Sequence, residues 1–216
     1  MRHQSGGAFL KKDTFGVIMK IYDISQELFS CVVFPGDPAP QREVLSSMKD
    51  GALYNLTALS LCAHNGTHID APYHFINEGK TIEQLPLNKT VGWAYISQED
   101  GFISAENAKR ILKEATNANP EAAKRILIGG KVTVTEEAAR VFANAKIDLL
   151  GNESQTVGPE DAPMQVHLTL LGAEVVLLEG IRLGDVPTGA YLLSAAPISL
   201  AGSDGAPCRA VLIDMK

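Results

Sequence analysis

The chain has 216 residues, of which 45% are apolar and 20% charged, and its formal net charge is −6. That length holds one substantial domain or at most two small ones. The acidic balance leaves no basic footprint for nucleic acid, and no apolar run approaches the roughly 20 residues that span a bilayer.

Three cysteines, Cys31, Cys62 and Cys208, are widely spaced and form no C-x-x-C pair. No disulfide framework is expected, and a reducing compartment, the cytoplasm, fits. Cys62 lies two residues before His64, where it could be a ligand or nucleophile, but a small buried hydrophobe in a strand is the simpler expectation.

Residues 1–18 lack periodicity and carry no secretory pattern. They are expected to be a disordered extension or tag remnant, with the folded domain spanning residues 19–216 and Met19 as its natural start. Alternation in residues 20–25 predicts a first strand. Phe34-Pro35-Gly36-Asp37-Pro38 is a turn-rich loop, because proline fixes φ and glycine permits positive φ.

Residues 54–63, rich in Leu, Thr and Ala, predict a strand running into a group of histidines. Residues 104–115 open on a serine and place Ala108, Ile111, Leu112 and Ala115 at helical spacing. A short apolar strand is expected over residues 125–128, a second capped helix over 135–145 and another strand over 147–150. Residues 166–171 start a helix, 174–178 form a buried strand, and 190–195 and 209–213 are the last two strands. No internal repeat or linker interrupts this order, so one α/β domain is predicted.

The informative segment is His64-Asn65-Gly66-Thr67-His68-Ile69-Asp70-Ala71-Pro72-Tyr73-His74. Five histidines in 216 residues predict about a quarter of one in such a window, and this window holds three. Asn65-Gly66 and Pro72 argue against a helix that would put His64 and His68 on one face. A strand and tight turn suit the spacing better, and imidazole plus carboxylate is a donor set for Zn²⁺, Mn²⁺ or Fe²⁺. Farther on, His167 is the only other histidine beyond residue 18, and Glu179 ends an apolar run. An acid at the end of a buried strand must be paired, hydrogen-bonded or metal-bound.

At these residues the sequence resembles the cyclase family of metal-dependent hydrolases, which includes bacterial kynurenine formamidase and isatin hydrolase. The family hallmark His-x-Gly-Thr-His-x-Asp-Ala-Pro-x-His-Phe stands complete at residues 64–75. The resemblance extends from Ile21-Tyr22-Asp23-Ile24-Ser25 through Pro35-Gly36-Asp37 and Leu177-Leu178-Glu179-Gly180 to the ending Ala201-Gly202-Ser203-Asp204-Gly205-Ala206-Pro207 and onward to Leu212. It implies a layered β/β/α fold of the swivelling-domain type, usually a homodimer or homotetramer, with two divalent ions per chain, Zn²⁺ foremost and Mn²⁺ as an alternative. His64, His68 and Asp70 would hold the first ion. Asp70 and Glu179 would bridge to a second that His167 also holds, and His74 would shuttle protons.

The implied reaction is hydrolysis of a small-molecule amide, such as an N-formyl aryl amine, by metal-activated hydroxide. A cyclic-amide hydrolase, a cyclase, or a metal-binding protein without turnover are the alternatives. Phe34 stands where the formamidases usually carry a tryptophan that stacks on the substrate, and Gly151-Asn152-Glu153-Ser154-Gln155 departs from their usual pattern. Phe34 and Tyr73 are the candidate apolar walls for a substrate.

Overall fold

A computed structural model describes residues 9–12 and 18–215. In chain order, β1 (Phe9–Lys12) and β2 (Ile18–Asp23) precede an antiparallel hairpin, β3 (Gln41–Ser46) and β4 (Leu56–Ser60). β5 (His68–Asp70), β6 (Val91–Gln98) and β7 (Gly101–Ile103) lead to helix α1 (Ala105–Ala118). Then come β8 (Arg125–Gly129), β9 (Val132–Val134), α2 (Glu136–Asn144), β10 (Leu149–Asn152), α3 (Met164–Gly172) and β11 (Val176–Glu179). β12 (Gly189–Ser194), β13 (Gly205–Pro207) and β14 (Val211–Met215) close the chain.

Ten strands form one mixed sheet in the order β1-β2-β14-β12-β6-β8-β10-β11-β5-β13. Its middle, β6-β8-β10-β11, is parallel, because a helix follows each of the first three strands and returns the chain to the same end. Helices α1 and α2 start where the sequence places a cap. Ser104 and Asn107 cap α1 reciprocally, the Asn107 amide donating to Ser104 Oγ (3.2 Å) and the Ser104 amide to Asn107 Oδ1 (3.0 Å). Thr135 Oγ1 accepts from the Ala138 amide at 3.2 Å at the start of α2.

Alternate strand residues divide between two cores. Ile126, Ile128, Leu150 and Leu177 pack under the helices with Phe142 and Leu170. Leu127, Leu149, Val176 and Leu178 point the other way, onto Ile69, Leu193, Ala206 and Leu212. Ile69 and Leu212 belong to strands near opposite ends of the sheet yet share this second core, so the sheet curls over itself. The single α/β domain and its β/β/α layering follow from that curl. No helix among the described residues is long and apolar enough to cross a membrane, and the three cysteines are unpaired.

Three expectations need correction. Residues 54–63 are not one strand: β4 ends at Ser60, and a turn follows in which the Asn65 amide donates to the Cys62 carbonyl (3.2 Å) and the Cys62 amide to Asn65 Oδ1 (2.9 Å). His68 and Asp70 then lie on a strand of their own, β5. The central strand β6 was not expected, since Trp93-Ala94-Tyr95-Ile96 packs toward both cores in turn and the sequence there shows no apolar-polar alternation. Within residues 1–18, Phe9–Lys12 pairs antiparallel with β2. An open strand edge recruits an extended neighbour whatever its side chains. The rest of residues 1–17 lies outside the described residues.

Because β2 is already bonded on its other side to β14, a chain beginning at Met19 should fold and keep its melting temperature to within a few degrees. Thermal unfolding of that truncation followed by circular dichroism is the check. Aggregation or a large loss of stability would make β1 a required part of the sheet.

Candidate metal centre

β5 is inserted antiparallel between β11 and β13. His68 faces Glu179 on one side and Pro207 on the other, while Asp70 faces Leu177 and Gly205. His68, Asp70 and Glu179 share the side of the sheet that Leu177 presents to the helices, and α3 lowers His167 onto them. Gly66, at φ +68°, makes the tight turn between His64 and His68 that a side chain would strain. Gly205 leaves room for a ring, since a Cβ there would sit 2.8 Å from His64 Cε1.

Asp70 is 0% exposed and Glu179 2%. His64 Nδ1 lies 2.9 Å from Asp70 Oδ1. His68 Nε2 lies 3.3 Å from Asp70 Oδ1 and 3.6 Å from Glu179 Oε2. His167 Nε2 lies 3.3 Å from Glu179 Oε1 and 3.7 Å from Asp70 Oδ2. Two ligand sets therefore share Asp70: His64, His68 and Asp70, and Asp70, His167 and Glu179, each with its donor atoms within 4.8 Å of one another.

The outward ring nitrogens are tied to oxygen. His68 Nδ1 donates to the Gly66 carbonyl (3.0 Å) and His167 Nδ1 to the Pro163 carbonyl (2.9 Å). A carbonyl only accepts, so these nitrogens carry hydrogen and each neutral ring turns its Nε2 lone pair inward. Metal-ligating histidines are oriented in this way. His68 Nε2 and Asp70 Oδ2, both buried, have no hydrogen-bond partner, although buried polar atoms are nearly always satisfied. Nitrogen lone pairs and carboxylate oxygens converging at these spacings fit divalent cations.

The electrostatics agree. Burial opposes charge on His64, yet Asp70 and Asp204 outweigh it and raise the ring to about 11. Burial likewise opposes charge on His167, and Glu179 and Asp70 hold it up to about 9. Burial pushes Asp70 upward, but His64 and His68 pull it well below the usual carboxylate range. Without metal, protons on the histidines supply the positive charge that the carboxylates require.

His74 ends the short 3₁₀ turn Pro72–His74, and its ring centroid lies 4.0 Å from that of His64 and 6.2 Å from that of His167. Phe75 stacks on His167 at 4.6 Å. Phe34 lines a cavity of about 470 Å³ together with Val32, Pro35, Gln155 and Arg182. Gln155 joins this cavity to the centre by donating to the Gly66 carbonyl at 3.1 Å. Tyr73 does not line it and is exposed. Sequence reasoning missed Asp204, whose Oδ2 lies 2.9 Å from His64 Nε2 and 3.2 Å from His74 Nδ1. In a Gly/Ser-rich stretch it carries only the signal of a turn residue.

A centre of histidines and carboxylates buried between a mixed sheet and its helices is one that could hold metal ions in an α/β scaffold. Residues 22–159 match the family model described as putative cyclase. A kynurenine formamidase of Salinibacter ruber is 32% identical over 211 residues, covering 91% of this chain and 98% of that protein. A solved structure described as a potential metal-dependent hydrolase with cyclase activity is 28% identical, with a TM-score of 0.75 over 92% of this chain and 99% of that one. Isatin hydrolase A from Labrenzia aggregata shares the fold, with a TM-score of 0.75 at 19% identity over 92% of this chain and 94% of that one. The chain belongs to the cyclase family.

A raised histidine pKa stabilises the folded metal-free chain fully below its ordinary 6.5, and that stability is lost as pH rises through about 9 for His167 and about 11 for His64. The melting temperature of chelator-treated protein should therefore fall from about pH 6.5 to 9. With zinc in place of the protons, the decline should be much smaller. A flat or rising metal-free profile would contradict the coupling of these histidines to Asp70 and Glu179.

Proposed function

We propose that the protein is a metal-dependent amidohydrolase acting on an N-formyl aryl amine such as N-formylkynurenine. The observation that carries this reading is the convergence of inward-facing nitrogens of His64, His68 and His167 on Asp70 and Glu179, with His68 Nε2 and Asp70 Oδ2 left unpartnered. His64, His68 and Asp70 would hold one divalent ion, and Asp70, His167 and Glu179 a second, Zn²⁺ foremost and Mn²⁺ as the alternative. Such ions polarise a carbonyl and bring the pKa of water down to about 7.

The remaining chemistry belongs to the chain. His74 stands beside His64 rather than among the ligands that surround Asp70, and it has no role in closing either set. Its Nδ1 is engaged by Asp204, which leaves Nε2 to accept a proton during attack on the carbonyl and return it to the leaving nitrogen. An imidazole is suited to both transfers near neutral pH. The cavity beside Gln155 offers the Phe34 ring and the apolar surfaces of Val32 and Pro35 to an aryl group.

A small-molecule amide is the partner this reading requires, in a cytoplasmic protein that assembles as a homodimer or homotetramer. Apolar exposure on the β3–β4 hairpin supports self-association: Leu53, at its connecting loop, is 93% exposed and Val44 64%, with Leu59 and Met48 also exposed. Light scattering should give a multiple of the 23.1 kDa chain mass, and Leu53→Lys with Leu59→Lys should reduce it to one chain. A monomeric wild-type protein would refute the assembly.

Elemental analysis of dialysed protein should find close to two equivalents of zinc or manganese. His74→Asn should lower turnover by roughly 10²–10⁴-fold while metal content and melting temperature persist, whereas His64→Asn should lose metal affinity as well. Formanilide, N-formylkynurenine and isatin, assayed side by side, distinguish an open-chain from a cyclic amide substrate. Loss of metal from His74→Asn would make that residue a ligand, and full activity would remove it from the mechanism.

A further inference from the structure

We propose that Asp204 is a positioning residue that fixes the tautomers of His64 and His74 through one shared carboxylate oxygen, and so joins the metal ligand to the proton shuttle. The inference rests on the reading of the centre given above. Asp204 Oδ2 stands 2.9 Å from His64 Nε2 and 3.2 Å from His74 Nδ1. An aspartate carboxylate offers only acceptors to the two rings. Both facing nitrogens therefore carry hydrogen.

The consequence differs for the two rings. On a neutral His64, hydrogen on Nε2 leaves the lone pair on Nδ1, the atom 2.9 Å from Asp70 Oδ1. That is the arrangement in which a carboxylate behind an imidazole strengthens it as a ligand. On His74, hydrogen on Nδ1 leaves the lone pair on Nε2, which has no hydrogen-bond partner among the described residues. Asp204 thus points one ring into the cation centre and leaves the other with a vacant basic nitrogen. The rings lie centroid to centroid at 4.0 Å with planes tilted by 32°, so neither can turn without displacing the other.

The carboxylate is rigidly mounted. The Asp204 carbonyl accepts from the Ala71 amide at 2.9 Å, and the neighbouring Ser203 carbonyl accepts from the Ile82 amide at the same distance. The next residue, Gly205, pairs with Asp70 in the β13–β5 ladder. Asp204 therefore sits one step along the backbone from the residue opposite the shared ligand. Backbone pairing alone sets its reach to both rings.

The test compares Asp204→Ala and Asp204→Asn with the wild type by ring-nitrogen NMR over a pH series, read on the neutral form of His74, and by zinc competition against a chelator. Wild-type His74 should be the Nδ1–H tautomer in both metal-free and zinc-loaded protein. In Asp204→Ala it should revert to the Nε2–H form favoured by an imidazole without a partner, and zinc affinity should fall roughly 10–100-fold with stoichiometry unchanged. Asp204→Asn keeps an acceptor oxygen of the same reach and should retain the Nδ1–H form. If His74 is Nε2–H in the wild type, or if the Ala and Asn variants are indistinguishable, the proposal fails. A third zinc equivalent that disappears with Asp204 would make it a ligand with His64 and His74, and would overturn the proposal as well. A wild-type chain that binds no zinc would refute the metal centre, while the metal-free His74 tautomer would still decide the role of Asp204.

Discussion

Two carboxylates, Asp70 and Glu179, are buried under a layer of helices, and the surrounding structure is organised by their need for positive charge. Burying an unpaired carboxylate costs far more than a domain's net stability can absorb. Three histidine rings answer that need, each with an inner nitrogen on the carboxylates and an outer nitrogen on another oxygen. The Val157 amide adds a bond to Glu179 Oε1 at 2.8 Å. Protons on imidazole and divalent cations are two ways of meeting one electrostatic demand, which is why the same cluster is both a stability element and a candidate reactive centre.

The fold supplies the positions by ordinary rules. Glu179 lies at the carboxyl end of the parallel strand β11, where open α/β sheets characteristically place their ligands. Less ordinary is β5, three residues long yet bonded on both edges. Its alternation presents His68 and Asp70 to one side and Ile69 to the second core. A slip of one residue would bury Ile69 among the polar groups and drive Asp70 into an apolar cluster, so hydrophobic burial and charge pairing select the same register.

How much of this was legible in the sequence depends on how local the signal is. His64, His68, Asp70 and His74 fall within eleven residues, and their density alone marks a site. The capped helices α1 and α2 were legible because Ser104 and Thr135 act within one turn. Glu179 carried the weaker signal of an acid closing an apolar run, and His167 gained its meaning only beside the first cluster. Asp204 was hidden because its role arises from the pairing of Gly205 with Asp70, a long-range contact with no periodicity in the sequence. The hairpin strand β3 was equally hidden, since Gln41-Arg42-Glu43 is polar and its pairing comes from the backbone. Phe34 reached a cavity and Tyr73 did not, a difference decided by loop paths that composition does not encode.

The separation of Asp204 from His64 by 140 residues has a consequence during synthesis. A ribosome delivers the chain from its amino end at about 5–20 residues per second, so His64, His68 and Asp70 emerge on the order of ten seconds before the carboxylate behind His64 exists. For most of that interval any captured ion meets freely rotating imidazoles and no Glu179. Only when nearly the whole polypeptide has left the exit tunnel do β11 and β13 close on the two edges of β5. The centre therefore registers completion of the message: a chain released early keeps the conspicuous histidine motif but lacks the partners that would orient it.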